Sequence, residues 1–128
     1  MKQIATIARI LLGLLFVVFG LNGFLKFIPT PLPPGPASQF MEVMVVSRFY
    51  TVVLLTQIVG GLLLLANRYV PLGLLLLGPV LVNILAFHVF MAPAGLPIAV
   101  VATALWCIVF FRVRSAFSGV FVQKIALS

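Results

Sequence analysis

The chain has 128 residues, 64% of them hydrophobic and only 7% charged, with a mean hydropathy of +1.36. Soluble domains carry about 25% charged residues, so this composition excludes a soluble globular domain and is that of an integral membrane protein. Eight Lys and Arg against one acid give a net charge of +7, but these cations stand at the ends of apolar runs, where membrane orientation and anionic headgroups account for them better than nucleic acid does.

The reactive residues are few. Cys107 is the single cysteine, so no intrachain disulfide, CxxC pair or iron–sulfur ligand set can form. One carboxylate, Glu42, and one imidazole, His88, are too few for a zinc or iron site of ordinary composition. No metal centre is expected.

In chain order, Lys2 and Arg9 lead an apolar run read as an uncleaved first spanning helix over about 4–27. At about 100° per residue, Arg9, Gly13, Phe16, Gly20 and Gly23 fall on one stripe. Glycines on one face admit a close neighbouring helix, which is how helices hold together where lipid replaces water. Their spacing is not GxxxG, which favours packing within the chain.

The segment 28–36, IPTPLPPGP, holds five of the nine prolines and can be neither helix nor interior strand. It reads as a stiff connection at one membrane surface. A second helix is expected over about 39–66, with its spanning part from about Phe49. Glu42, Val46, Phe49, Val53, Thr56, Gln57 and Gly60 share a face, and its polar atoms point that face into the bundle.

A tight turn at 67–71 leads to a third helix over about 71–92, apolar along its length except for Asn83 and His88. Pro79 removes one backbone hydrogen bond there and predicts a kink. After the uncharged turn 91–97, a fourth helix is expected over about 97–112, and the segment 115–127 is placed in the interface with Val120, Phe121 and Ile125 toward lipid.

These elements predict an all-α, four-helix transmembrane bundle, a single domain spanning 1–128. Four crossings put both termini on one side, with Lys2, Arg9, Arg68, Arg112, Arg114 and Lys124, while the other side holds Lys26 and Arg48 offset by Glu42. The positive-inside bias therefore predicts cytoplasmic termini.

Antiparallel helices joined by short turns bring polar residues to common depths. Gln57 and Asn83 are expected to meet near mid-membrane. Asn22, Lys26, Glu42, Arg48 and His88 form a second layer near the outer surface, with Glu42 balancing Arg48 or Lys26. These seven residues are the candidate binding set. A lipid-like molecule, or a quinone carbonyl accepting from His88, would suit the outer layer.

The stretches ARILLGLLFVVFGLNGFLKFIP, QIVGGLLLLANRYVPLGLLLL and PVLVNILAFHVFMAPAGLP together resemble the DoxX family of small bacterial membrane proteins, over roughly 9–111. The more specific pieces are Gly20-Leu21-Asn22, Gly60-Gly61 with the leucines that follow, and Asn83 through His88. The resemblance implies a four-helix protein of the bacterial inner membrane. Founding relatives are linked to a thiosulfate:quinone oxidoreductase, and others to accessory roles in redox or stress responses. Relatives often carry a glutamate where this chain has Gln57. An amide keeps the hydrogen bonding and loses the proton exchange.

No nucleophile–base pair or cofactor motif is present in the sequence. The expected function is a non-catalytic inner-membrane component that binds a lipid-like molecule or supports a membrane complex. The alternative is a quinone-reactive oxidoreductase subunit. The expected partners are the bilayer, a membrane redox complex or further copies of the chain.

Overall fold

The computed structural model describes residues 2–127. They form α1 (Lys2–Leu25), α2 (Pro36–Val46), α3 (Phe49–Ala66), α4 (Val70–Phe90) and α5 (Leu96–Val113), with 3₁₀ turns at Pro93–Gly95 and Arg114–Phe121. No strand occurs among the described residues. Four helical stretches are long and apolar enough to cross a membrane: α1, α3, α4 and the run Pro93–Phe121 that contains α5. The chain is a multi-pass membrane protein built as a four-helix bundle.

The expected helices at 4–27, 71–92 and 97–112 match α1, α4 and α5 to about two residues at each end, the ordinary uncertainty of helix ends. The continuous helix expected over 39–66 is corrected to two, α2 and α3, separated at Ser47 and Arg48. Arg48 adopts a left-handed conformation, φ 64°. Its N–H bonds back to the carbonyl of Val45 at 3.1 Å, and the Ser47 hydroxyl takes the N–H of Phe49 at 3.2 Å. Serine competes well for backbone donors in this way, and the β-branched pair Val45-Val46 before it weakens helix continuation. Only α3 belongs to the spanning set. α2 packs on α3, and the ring of its Phe40 meets that of Phe87 on α4 at 5.6 Å.

Each spanning helix touches two others: α1 packs on α3 and α5, and α4 packs on α3 and α5. The result is a closed ring of four. Gly13 of α1 lies against Gly61 and Gly23 against Leu54, so α1 and α3 run antiparallel. Gly73 of α4 faces Leu64 and Leu77 faces Gly60, so α3 and α4 are antiparallel too. Leu12, Leu64, Leu74 and Leu77 fill the centre, with Phe16, Leu81, Val109 and Phe117 around them. Leu55, Val59, Leu62, Leu75 and Val101 remain exposed. In a bilayer the acyl chains solvate them, and association rests on close packing.

That packing is closest between α1 and α3. A Cβ on Gly61 would sit 2.9 Å from the Gly13 carbonyl oxygen and 3.1 Å from the Val17 nitrogen. Both are backbone atoms and cannot rotate aside. The glycine stripe expected on α1 is thus the face it presents to α3.

Gly61→Ala should destabilise the bundle by roughly 1–3 kcal/mol through overpacking. Gly78→Ala, whose added carbon would lie 3.5 Å from Trp106 Cζ2, should stay within about 0.5 kcal/mol of wild type. Unfolding by dodecyl sulfate in mixed micelles, followed by Trp106 fluorescence, measures both. Equal losses would show that α1 and α3 are not in close backbone contact.

Candidate functional site

The outer layer expected from sequence has its members at one end of the bundle, the end formed by the close of α1, the start of α3 and the close of α4. Each is engaged locally. Asn22, only 7% exposed, donates from Nδ2 to the Ile28 carbonyl at 3.1 Å and accepts the Ile28 N–H on Oδ1 at 2.6 Å. This side chain finishes α1 and turns the chain into the proline segment. Lys26 caps the same helix, its N–H on the Asn22 carbonyl at 2.8 Å and its φ at 54°. Its side chain is exposed, as are those of Glu42 and Arg48.

The ion pair expected between Glu42 and Arg48 or Lys26 is not formed among the described residues. The expectation rested on a buried guanidinium that needed a counter-ion. Arg48, lifted out at the α2–α3 break, is exposed, and an exposed cation has no such need.

His88 is half-buried, with Nδ1 3.0 Å from the Ala92 carbonyl oxygen. A carbonyl only accepts, so Nδ1 carries the proton. In the neutral ring Nε2 is then an acceptor, and it can donate to a ligand carbonyl only as imidazolium. The ring stands edge-on to Phe87 at 5.2 Å and lies directly over Gly95, where any Cβ would collide with it. His88 wedges the α4–α5 corner.

The mid-membrane pair is corrected. Gln57 is 7% exposed and lies beside Gly20 of α1, whose added Cβ would be 3.5 Å from the Gln57 Cβ. Asn83 is exposed, and its Nδ2 donates to the Pro79 carbonyl of its own helix at 2.8 Å. α4 turns Gly73 and Leu77 toward α3 and Gly78 toward Trp106 of α5. That rotation leaves Asn83 on the outer face. Similar depth brought the two amides level, but they look at different neighbours.

Two interior polar contacts were missed from sequence. Arg9 donates through one guanidinium nitrogen to the carbonyls of Leu64 and Leu65, the latter at 3.4 Å. It adds a donor to the last turn of α3, where the Leu64 carbonyl also takes the Asn67 N–H at 3.2 Å, and puts a cation at that negative helix end. Its place on the glycine stripe was the available signal. Trp106 donates from Nε1 to the Leu74 carbonyl at 3.1 Å and stacks on Phe110 at 5.2 Å. Phe110 in turn meets Phe117 at 5.0 Å, which anchors the C-terminal 3₁₀ turn to the core.

Two open depressions mark the surface. One of about 250 Å³ is lined by Glu42, Val43, Val46 and Ser47, and one of about 450 Å³ by Lys2, Gln3, Thr6 and Ile7. Neither is lined by His88 or Gln57. Among the described residues no three His, Cys, Asp or Glu side chains are grouped to hold a metal ion, and Cys107 is exposed on α5. Comparison with protein-family models, with curated proteins and with solved structures finds no match to this chain.

The wedge at the α4–α5 corner is testable by a double-mutant cycle. Gly95→Ala should destabilise the protein by roughly 1–3 kcal/mol while His88 is present. In a His88→Ala background the same change should be nearly neutral, giving a coupling energy of about that size. Additive losses in thermal unfolding would show that the ring does not sit over Gly95.

Proposed function

We propose that this protein is a DoxX-like accessory component of the bacterial inner membrane, acting by lateral association within the bilayer and not by catalysis. The reading is carried by Asn83. Asn22, Arg9, His88 and Trp106 each hydrogen-bond to the chain's own carbonyls, so their polar groups serve the fold. Of the three amides well inside the spanning helices, Asn22 and Gln57 are buried and Asn83 is exposed, and the Asn83 side chain meets only its own helix. A polar group at membrane depth costs several kcal/mol when unpaired in hydrocarbon, and such groups ordinarily face protein. An outward amide therefore marks a surface that another chain covers.

The orientation is read from the charge at the two bundle ends. Antiparallel packing gathers Arg9, Arg68, Arg112 and Arg114 at one end and Lys26, Glu42 and Arg48 at the other, and the end richer in cations is proposed to face the cytoplasm.

Orientation is read by labelling intact cells that carry Cys107→Ala. A cysteine replacing the exposed Thr30 should react with an impermeant maleimide, and one replacing the exposed Asn67 should react only after lysis. Reversed labelling overturns the orientation. Association is read by a photoreactive residue at Val82, which is 66% exposed beside Asn83, and at Leu55, which is 51% exposed on α3. The Val82 probe should yield a protein adduct in native membranes and the Leu55 probe only lipid adducts. Lipid adducts alone at both positions would remove the accessory reading.

A further inference from the structure

The face of α4 turned away from the bundle has a definite pattern. Leu72, Leu76, Pro79, Asn83, Ala86 and Phe90 recur at alternating spacings of four and three residues, the repeat that keeps one seam of a helix against a parallel partner. All are exposed except Leu76, which is half-buried. Asn83 stands inside this seam, flanked by Pro79 and the small Ala86, which let a second backbone approach. At about 1.5 Å per residue it lies roughly 10 Å from the α4 end at Phe90 and about 20 Å from Val70. Both distances keep it within a hydrocarbon core about 30 Å thick.

The amide is half satisfied. One N–H reaches the Pro79 carbonyl, while the second N–H and the side-chain oxygen have no partner on their own helix. Proline at position 79 also supplies no N–H to the Leu75 carbonyl, one turn away on the same side.

We propose that α4 is a homodimer interface, with Asn83 of one copy paired to Asn83 of the other across a two-fold axis along the membrane normal. This rests on the reading of Asn83 as an association surface and names its occupant. Two copies inserted in the same orientation present parallel α4 helices, so the seam residues meet their own equivalents. An asparagine amide is both donor and acceptor. Under a two-fold axis each remaining N–H meets the other copy's side-chain oxygen, and both needs are met by one residue type. A different partner would have to place a donor and an acceptor at that depth independently. A single asparagine in an otherwise apolar seam also sets register, because any slip would leave both amides in hydrocarbon.

The test uses full-length protein with Cys107→Ala and Thr30→Cys, half labelled with a donor dye and half with an acceptor. The two pools are mixed in phosphatidylethanolamine–phosphatidylglycerol vesicles over a range of protein-to-lipid ratios. Energy transfer should follow a monomer–dimer isotherm. Asn83→Leu should shift its midpoint to about tenfold higher protein density, the scale of an interhelical amide bond, and Asn83→Gln should recover most of the loss. Asn83 faces outward, so at protein densities low enough that both are monomeric, thermal unfolding of Asn83→Leu should match that of the parent and separate lost association from lost folding. An unshifted isotherm for Asn83→Leu, or a parent that stays monomeric at every density, overturns the dimer. With a monomeric parent, a Val82 adduct to a different protein leaves the accessory reading standing, and lipid adducts alone remove both.

Discussion

The bundle depends on the backbone approach of α1 to α3 at Gly13 and Gly61. In water, burial of leucine would draw helices together without regard to detail. In a bilayer the alternative neighbour is an acyl chain, equally apolar, and only close packing and polar bonds favour protein over lipid. A crossing in which an added Cβ would fall 2.9 Å from a carbonyl oxygen brings long stretches of two helices into dispersion contact. Gly73 on α4, whose added Cβ would lie 3.2 Å from the Gly60 carbonyl oxygen, repeats the device on the next face of α3. α3 is thereby held from two sides, and α5 closes the ring.

Polar side chains pin the ends of this ring. Arg9 takes the carbonyls at the close of α3, Asn22 the Ile28 carbonyl beyond the close of α1, and His88 the carbonyl that follows α4. Helix ends always leave acceptors without partners, and in a protein surrounded by lipid those acceptors have few alternatives. Residues that look chemically useful in sequence are here terminators of helices. His88 shows the consequence most directly: the bond that holds its ring also fixes the tautomer, and with it what Nε2 can offer.

Two helices, α2 and α4, are the informative ones for association. α2, released from α3 at Ser47 and Arg48, carries exposed Val43 and Val46 beside the single acid of the chain. α4 contributes Gly73, Leu74 and Leu77 to the interior while showing Asn83 outward. An amide in that position makes the bilayer an incomplete solvent for one face of the protein.

By itself the sequence determined the number of spans, their ends to about two residues outside the second, the proline connection, and the glycine face of α1. These are local properties: hydropathy over a helix length, missing N–H groups, and a period of about 3.6 residues. The break at Ser47 and Arg48 was not legible, because it turns on a serine hydroxyl competing for one backbone donor within an apolar run. Nor could the sequence show that Gln57 looks toward α1 and Asn83 away from the bundle. Depth along a helix follows from counting residues. Rotation about its axis follows from which neighbours it packs against, and in this chain only the closed order α1–α3–α4–α5 decided that.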